Sequence, residues 1–190
     1  SCHIVSKNGL DILISDDKLT QLEKIFKGDI ENELSCIADI NYLFDDYDFV
    51  VFDTEGTINN MTRAILKVTD YIFTPTQASN IDVNGIRDLL DIFELSKRRN
   101  PSLEVKKIFL VRAKHQTNAY KSFSEQLKSY FDEKQFSEVA IRENQDIINA
   151  MSEQLDIFSY KKSSNGAIDY KNLVDEFLEE LEEPELAEEV

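Results

Sequence analysis

A carboxylate at the end of an apolar run is the feature of this sequence best suited to chemistry. The stretch YDFVVFDTEGT, residues 47–57, is apolar from Phe49 to Phe52 and then reaches Asp53. An aspartate that ends a buried strand can hold Mg²⁺ through water, and Gly56 gives the following loop the freedom to respond to a phosphate. The same local pattern also occurs where the aspartate only caps the next helix. The motif therefore indicates either metal handling or helix capping.

Asp53 needs a sheet to position it, and the hydrophobic pattern predicts one. Short apolar runs typical of strands alternate with longer amphipathic segments. The predicted strands are Leu10–Ser15, Asp48–Asp53, Asp70–Pro75, Val105–Val111 and Glu138–Arg142, and the predicted helices are Ser79–Arg99, Asn118–Phe131 and Gly166–Leu181. This order favours an α/β fold with a three-layer, mostly parallel sheet and helices on both faces. Ligands of such sheets bind at the carboxyl ends of the strands, where Asp53 is predicted to lie.

The net charge of −16 comes largely from one end of the chain. Residues 175–190 contain nine acids and no base, so residues 1–174 carry a net charge of only −7. The acidic composition therefore does not exclude contact between the rest of the surface and nucleic acid. We predict one domain over residues 1–182 and a solvated acidic tail over residues 183–190.

No apolar run reaches the roughly 20 residues that a membrane-spanning helix needs, and no signal peptide opens the sequence. We therefore expect a soluble intracellular protein that does not bind membranes. Cys2 and Cys36 lack the neighbouring ligands of a zinc site and are interpreted as free thiols. Because the sequence begins with Ser1, we also expect that it is a processed or engineered fragment.

The order of these segments resembles the ParA and MinD branch of the P-loop ATPases, the deviant Walker group. Residues 47–105 follow the family's succession of a strand, Asp-Thr, a helix, Asp-x-hydrophobic-Pro and a long helix that closes in Asn-Pro. KKIFLVRAKHQTNAYKSF resembles the next family strand and helix, and residues 136–181 resemble the base-binding loop and closing helix. LDILIS followed by DDKL resembles the segment before the central strand. The resemblance covers nearly all of residues 8–182, and TEGTIN and DYIFTP are most similar to ParA-type proteins of plasmids and conjugative elements.

The resemblance implies a site for ATP and Mg²⁺. Asp53 would order the magnesium-bound water, and the loop from Thr54 to Gly56 would respond to the nucleotide state. Gln77 would lie in a second loop near the nucleotide. The adenine would be contacted by three consecutive residues, Arg142, Glu143 and Asn144. The family usually has a proline where this chain has Ile141. This difference counts against the predicted base contact.

One part of the family's site has no counterpart in these 190 residues. The family cradles phosphate with a glycine-rich loop that carries lysines, but the five glycines stand apart, at Gly9, Gly28, Gly56, Gly85 and Gly166, and none forms GxxxxGK[ST]. Backbone N–H groups and a lysine do most of the phosphate binding in such sites. We therefore predict that this chain as given neither binds nor hydrolyses ATP appreciably, because a front segment was removed or because the protein is a degenerate relative.

For a complete protein the resemblance implies an ATP-dependent homodimer in the bacterial cytoplasm or nucleoid. It would coat DNA without sequence preference and move plasmid or chromosomal cargo with a ParB-like partner. Binding to DNA needs basic side chains that neutralise phosphates. The candidates are Lys161 and Lys162 before the closing helix, and Arg98 and Arg99 at the end of an earlier helix. All four also fit ordinary solubilising or helix-terminating roles.

The sequence also fits two other classes of function. Asp16-Asp17 after one predicted strand and Asp53 after another are similar to the acidic site of a phosphoacceptor receiver domain. Against this interpretation, residues 28–46 have a helical pattern where a receiver needs a strand, and no Lys-Pro follows the last strand. The second alternative is a non-catalytic, ParA-like interaction module whose acidic tail attracts a basic partner.

Overall fold

The computed structural model describes residues 3–7, 9–14, 46–54, 59–77, 83–113, 125 and 132–182. The chain divides into two compact units. The first comprises residues 1–70 and 94–103, and the second comprises residues 71–93 and 104–190. The predicted boundary between residues 182 and 183 stays a prediction, because the acidic tail lies outside the described residues.

The described strands are β1 (His3–Lys7), β2 (Leu10–Ile14), β3 (Tyr71–Thr76), β4 (Glu104–Ala113) and β5 (Ile141–Arg142). The described helices are α1 (Asn60–Ile65), α2 (Val83–Lys97), α3 (Gln145–Ser152), α4 (Ile157–Lys161) and α5 (Asn165–Glu182), with a 3-10 turn at Glu133–Gln135. Among the described helices, none is both long enough and apolar enough to span a bilayer.

The second unit contains the predicted parallel sheet. Its strand order is β3-β4-β5, and both pairings are parallel. The β3–β4 register skips Lys106, which is the extra residue of a β-bulge, and the β4–β5 register skips Arg112. Arg112 has a φ of 50°, in the left-handed region that non-glycine residues rarely adopt. Bulges of this kind change the face to which the following side chains belong.

Helices cover both faces of this sheet. On one face, Val105 and Ile108 of β4 are buried and pack against Leu90 and Phe93 of α2. On the other face, Phe177 of α5 packs against aromatic rings of β3 and β4, with ring centroids 4.3 Å from Phe73 and 5.7 Å from Phe109. Apolar side chains that pack against helices on both faces explain why these strands are nearly continuous in hydrophobicity. The predicted three-layer α/β fold is confirmed.

The first unit contains an antiparallel hairpin of β1 and β2. Gly9 makes the turn with a φ of 80°, which a side chain would disfavour. The strand predicted at Leu10–Ser15 is therefore present as Leu10–Ile14, but it pairs with β1 rather than with the parallel sheet. In the same unit, Asn100 is buried and donates hydrogen bonds from Nδ2 to the carbonyl oxygens of Leu66 (3.0 Å) and Thr69 (2.7 Å), which satisfies acceptors after α1.

The strand predicted at Asp48–Asp53 is not formed in the described part of the chain. Residues 48–53 do not have strand conformation, and Phe49 and Val51 are exposed by 64% and 89%. An apolar run becomes a strand only where a neighbour completes its backbone hydrogen bonds. The hydrophobic pattern could not supply that neighbour, and the prediction was wrong on this point.

Several predictions fall on residues that are not described. They are the helix at Asn118–Phe131, apart from Glu125, the helix start at Ser79–Asp82, the pair Asp16-Asp17, and the pattern over residues 28–45. The helix predicted at Gly166–Leu181 is confirmed as α5, and the strand predicted at Glu138–Arg142 is shorter, at Ile141–Arg142.

Candidate functional site

The carboxyl ends of the three parallel strands meet at one edge of the sheet, which we call the carboxyl edge. Thr76 at the end of β3 lies opposite Leu110 of β4, and Arg142 at the end of β5 lies opposite Ala113. Gln77, which follows β3, is partly buried. The fold therefore brings the predicted residues Gln77 and Arg142 to the same edge, with β4 between them.

Arg142 is held at this edge by a buried carboxylate. Its Nε donates to Oδ2 of Asp169 at 2.9 Å and its Nη2 donates to Oδ1 at 2.7 Å, while the backbone N–H of Arg142 also donates to Oδ2 at 3.0 Å. These hydrogen bonds raise the pKa of Arg142 above its ordinary value. A fork of this kind fixes the plane of the group.

The Arg142 side chain remains 42% exposed, whereas the Asp169 side chain is 9% exposed. Both Nη1 hydrogens of Arg142 are left without a partner among the described residues. The arrangement therefore leaves an oriented pair of donors that Asp169 does not engage. A ring nitrogen or a phosphate oxygen of a ligand could accept from them.

The residues that follow Arg142 begin a helix. Asn144 is the N-cap of α3, and its Oδ1 accepts from the backbone N–H of Asp146 at 2.7 Å, which leaves its NH₂ group as a donor. Glu143 is exposed. A close contact supports this turn, because Gly166 of α5 is so near α3 that a β-carbon there would lie 2.7 Å from Cγ1 of Ile147. The loop that carries Arg142, Glu143 and Asn144 is thus anchored by α3 and α5.

The four basic candidates differ in their surroundings. Lys161 donates from Nζ to Oδ2 of Asp146 at 3.0 Å, so its charge is already paired. Lys162 follows α4 and is exposed. In the other unit, Arg98 and Arg99 are exposed just after α2. The role of all four residues in DNA binding stays a prediction.

Asp53 and Thr54 are both exposed, and Gly56 lies outside the described residues. Asp53 forms no hydrogen bond or ion pair with a described residue. Within the described ranges, no cluster of three or more His, Cys, Asp or Glu side chains could hold a metal ion. Mg²⁺ keeps several waters and often takes only one or two protein carboxylates together with substrate phosphates. A single exposed carboxylate fits that mode of binding.

Sequence reasoning missed two residues of this part of the molecule. They are Asp169, which orients Arg142, and Lys107, which is buried on β4. A signal existed for Asp169, because it is four residues before the buried Leu173 and so falls on the apolar stripe of α5. An acid on the buried stripe of a helix calls for a basic partner.

The AAA domain family model matches residues 2–105, just over half of the chain. An uncharacterized protein of Pseudomonas putida is 24% identical over 189 residues, covering 96% of this chain and 69% of that protein. The sporulation initiation inhibitor protein Soj of Bacillus subtilis is 25% identical over 168 residues, covering 88% of this chain and 66% of Soj. The chain thus spans about two thirds of the length of these relatives.

Solved structures share the fold. Cobyrinic acid a,c-diamide synthase of Mycobacterium smegmatis, with a bound ATP analogue and magnesium, superposes with a TM-score of 0.75 at 17% identity, over 94% of this chain and 66% of that one. A putative plasmid partition protein of Borrelia burgdorferi bound to AMPPNP gives a TM-score of 0.72 at 21% identity, over 93% and 68%. At these identities the likeness concerns the fold, which two differently named proteins share.

Proposed function

The chain belongs to the ParA/MinD-type family of P-loop ATPases, and from this premise we propose that it is part of an ATPase that partitions plasmid or chromosomal DNA. The similarity to Soj and to a plasmid partition structure supports this choice over the receiver-type alternative. The observation that carries the proposal within the chain is the guanidinium of Arg142, which Asp169 fixes at the carboxyl edge.

We assign the adenine to this edge. Nη1 of Arg142 and the NH₂ group of Asn144 are donors that suit the ring nitrogens of a purine. Gln77 would contribute from the end of β3, and Glu143 would face the exocyclic amine as an acceptor. The Arg142 guanidinium needs no proline before it for this role, because Asp169 already fixes its plane. Ile141 is thus compatible with the base contact.

The magnesium role falls to Asp53. Its exposed carboxylate would orient water on Mg²⁺, while Thr54 and Gly56 would respond to the terminal phosphate. When bound, the metal would supply charge that stabilises the transferring phosphoryl group. Because residues 1–190 contain no GxxxxGK[ST] loop, we expect purified chain of this sequence to show no measurable Mg-ATP turnover. Turnover above that of an Asp53→Asn control would refute this expectation.

The complete protein would act as an ATP-dependent homodimer in the cytoplasm, bind DNA without sequence preference and recruit a ParB-like partner. DNA affinity is the first property to test. Charge reversal at Lys162, or at both Arg98 and Arg99, should weaken binding and lower the salt dependence by about one unit for each phosphate that is no longer neutralised. Lys161→Glu should have a smaller effect because Asp146 already neutralises that lysine.

The matched control for this experiment is Lys171→Glu. Lys171 is an exposed lysine on α5 that pairs with Asp175, and no DNA role is proposed for it. If the Lys162 and Arg98/Arg99 variants kept the affinity and salt dependence of the control, these side chains would have no place in the DNA interface. The partition role would then need a different basic surface.

A further inference from the structure

Lys107 of β4 is a buried lysine that the proposed function does not use. Its side chain is 6% exposed. Nζ donates to the carbonyl oxygen of Lys134 at 2.7 Å and forms ion pairs with Glu176, at 3.4 Å, and with Glu180 of α5. The β-bulge at Lys106 precedes it, so that Lys107 and Phe109 both meet α5. A charge is buried at such a position only when it is fully partnered.

Glu176, the partner of Lys107, holds the segment that leads into β5. Its Oε2 accepts from the hydroxyl of Ser137 at 2.7 Å and from the backbone N–H of Val139 at 3.4 Å, while Oε1 accepts from the N–H of Glu138 at 3.3 Å. The hydroxyl of Ser137 also accepts from the N–H of Val139 at 3.0 Å. The polar groups before β5 are thereby fixed to one carboxylate.

The same helix holds the far end of β5 through Asp169 and Arg142. Asp169 and Glu176 are seven residues apart, two turns along one face of α5. Two carboxylates of one helix therefore accept hydrogen bonds from the residues before β5 and from its last residue. Lys107 is the cation between Glu176 and Glu180, and it joins this helix to the central strand.

We propose that Lys107 is a positioning residue for Arg142. Lys107 neutralises Glu176 and Glu180 and thereby fixes the position of α5 relative to β4. This position determines where Asp169 holds the guanidinium of Arg142. The consequence for nucleotide binding rests on the proposed function, in which Arg142 contacts adenine. The positional effect itself does not depend on any ligand.

The test compares Lys107→Met with Lys106→Met. Lys106 is the adjacent lysine, and its partners are different, namely Glu104 and the ring of Tyr71. The readout is hydrogen exchange at Nε–H of Arg142 and at the amide of Val139, followed by NMR. Ser137→Ala is a milder second variant that removes one hydroxyl and keeps the buried lysine, so that the test survives if Lys107→Met does not fold. Lys107→Arg, which keeps the cation, should restore the protection.

We expect exchange at Nε–H of Arg142 to become about tenfold faster in Lys107→Met and severalfold faster in Ser137→Ala, with Lys106→Met unchanged. Amides of β3 should keep their protection, which a general loss of stability would not allow. Unchanged Arg142 exchange in both Lys107→Met and Ser137→Ala would overturn the proposal, and so would an equal effect of Lys106→Met.

A second readout separates this proposal from the proposed function. In the complete protein that contains these residues, ATP affinity is measured for the wild type and for Lys107→Met. Faster Arg142 exchange with weaker ATP binding supports both proposals. Faster Arg142 exchange with unchanged ATP binding upholds the positioning role of Lys107 and removes Arg142 from the nucleotide site.

Discussion

The carboxyl edge of the second unit and the segment 47–54 of the first unit both carry predicted site residues, yet they are held very differently. At the carboxyl edge, three nitrogens of Arg142 donate hydrogen bonds to a buried carboxylate, and its loop is anchored by α3 and α5. In segment 47–54, Asp53 is exposed, and the side-chain tie to the hairpin runs from Tyr47 to Asp11 at 2.7 Å. Substitutions should therefore lower the free energy of unfolding strongly at the carboxyl edge and only slightly in segment 47–54.

The largest effect in this comparison is expected at Asp169. Asp169→Ala removes the acceptor of the Arg142 fork and should lower the free energy of unfolding by about 2–3 kcal/mol, because hydrogen bonds to a buried charged group are strong. Urea unfolding measures this change. The matched control is Asp146→Ala, which breaks the more exposed pair with Lys161 and should cost less than about 1 kcal/mol. Equal losses in the two variants would mean that the fork adds nothing beyond a surface ion pair.

Gly166 tests the packing beneath the same loop. In Gly166→Ala the new methyl group would meet Ile147 at 2.7 Å, and we expect a loss of about 1–2 kcal/mol from overpacking. Adding Ile147→Val, which shortens the opposing side chain, should recover part of that loss. Thermal unfolding of the single and double variants gives the answer. A single variant as stable as the wild type would show that α3 and α5 are not tightly packed here.

Segment 47–54 should respond in the opposite way. Val51 is 89% exposed, so Val51→Ser should change the free energy of unfolding by less than about 0.5 kcal/mol. Val105→Ser, at a buried position in the core, is the matched control and should cost several times more. If Val51→Ser destabilised the chain as much as the control, the segment would be buried in solution, and the contrast between the two regions would fail.

These contrasts also show how far the sequence could lead. The spacing of apolar residues in β3, β4, α2 and α5 predicted the layered sheet. A strand that is covered on both faces has a continuous apolar run, and a helix that covers a sheet has an apolar stripe. Arg142 closes the predicted strand Glu138–Arg142, and it lies at the carboxyl edge because parallel strands end at the same side; its contact with adenine stays a prediction. Local patterns decide these features.

Features that depend on a distant partner could not be predicted in this way. The run Asp48–Asp53 has the composition of a strand, but pairing requires a neighbour that its own residues do not specify. Asp169 and Lys107 likewise acquire their roles only when α5 packs on the sheet, since their partners are 27 and 69 residues away along the chain. The hydrophobic pattern did not indicate the bulge that allows Lys107 to contact α5.

The smallest expected effect concerns the tie at Tyr47. The hydroxyl groups of Ser6 and Tyr47 donate to Asp11 and lower its pKa, while the same carboxylate raises the pKa of Tyr47. Asp11 stabilises the folded state at pH values above its ordinary pKa, and this stabilisation is lost as the pH falls through the lowered pKa. Tyr47 stabilises the folded state below about pH 10, and this stabilisation is lost as the pH rises through the raised pKa. Tyrosinate absorbance is measured against pH, and the signal of the other tyrosines is removed by subtracting the titration of Tyr47→Phe. Tyr47 should ionise at a higher pH in the wild type than in Asp11→Asn. Identical titrations would mean that the contact does not form.

The affinity of the complete protein for ATP, compared between the wild type and Arg142→Gln, shows whether Arg142 contacts the adenine. Inorganic triphosphate is the comparator ligand and Lys162→Gln is the control variant. If Arg142 contacts the adenine, Arg142→Gln should bind ATP about tenfold or more weakly because it removes a charged hydrogen bond, and triphosphate binding should not change. Equal ATP affinity in the wild type and Arg142→Gln, or an equal loss for both ligands, would contradict the assignment of the base to the carboxyl edge.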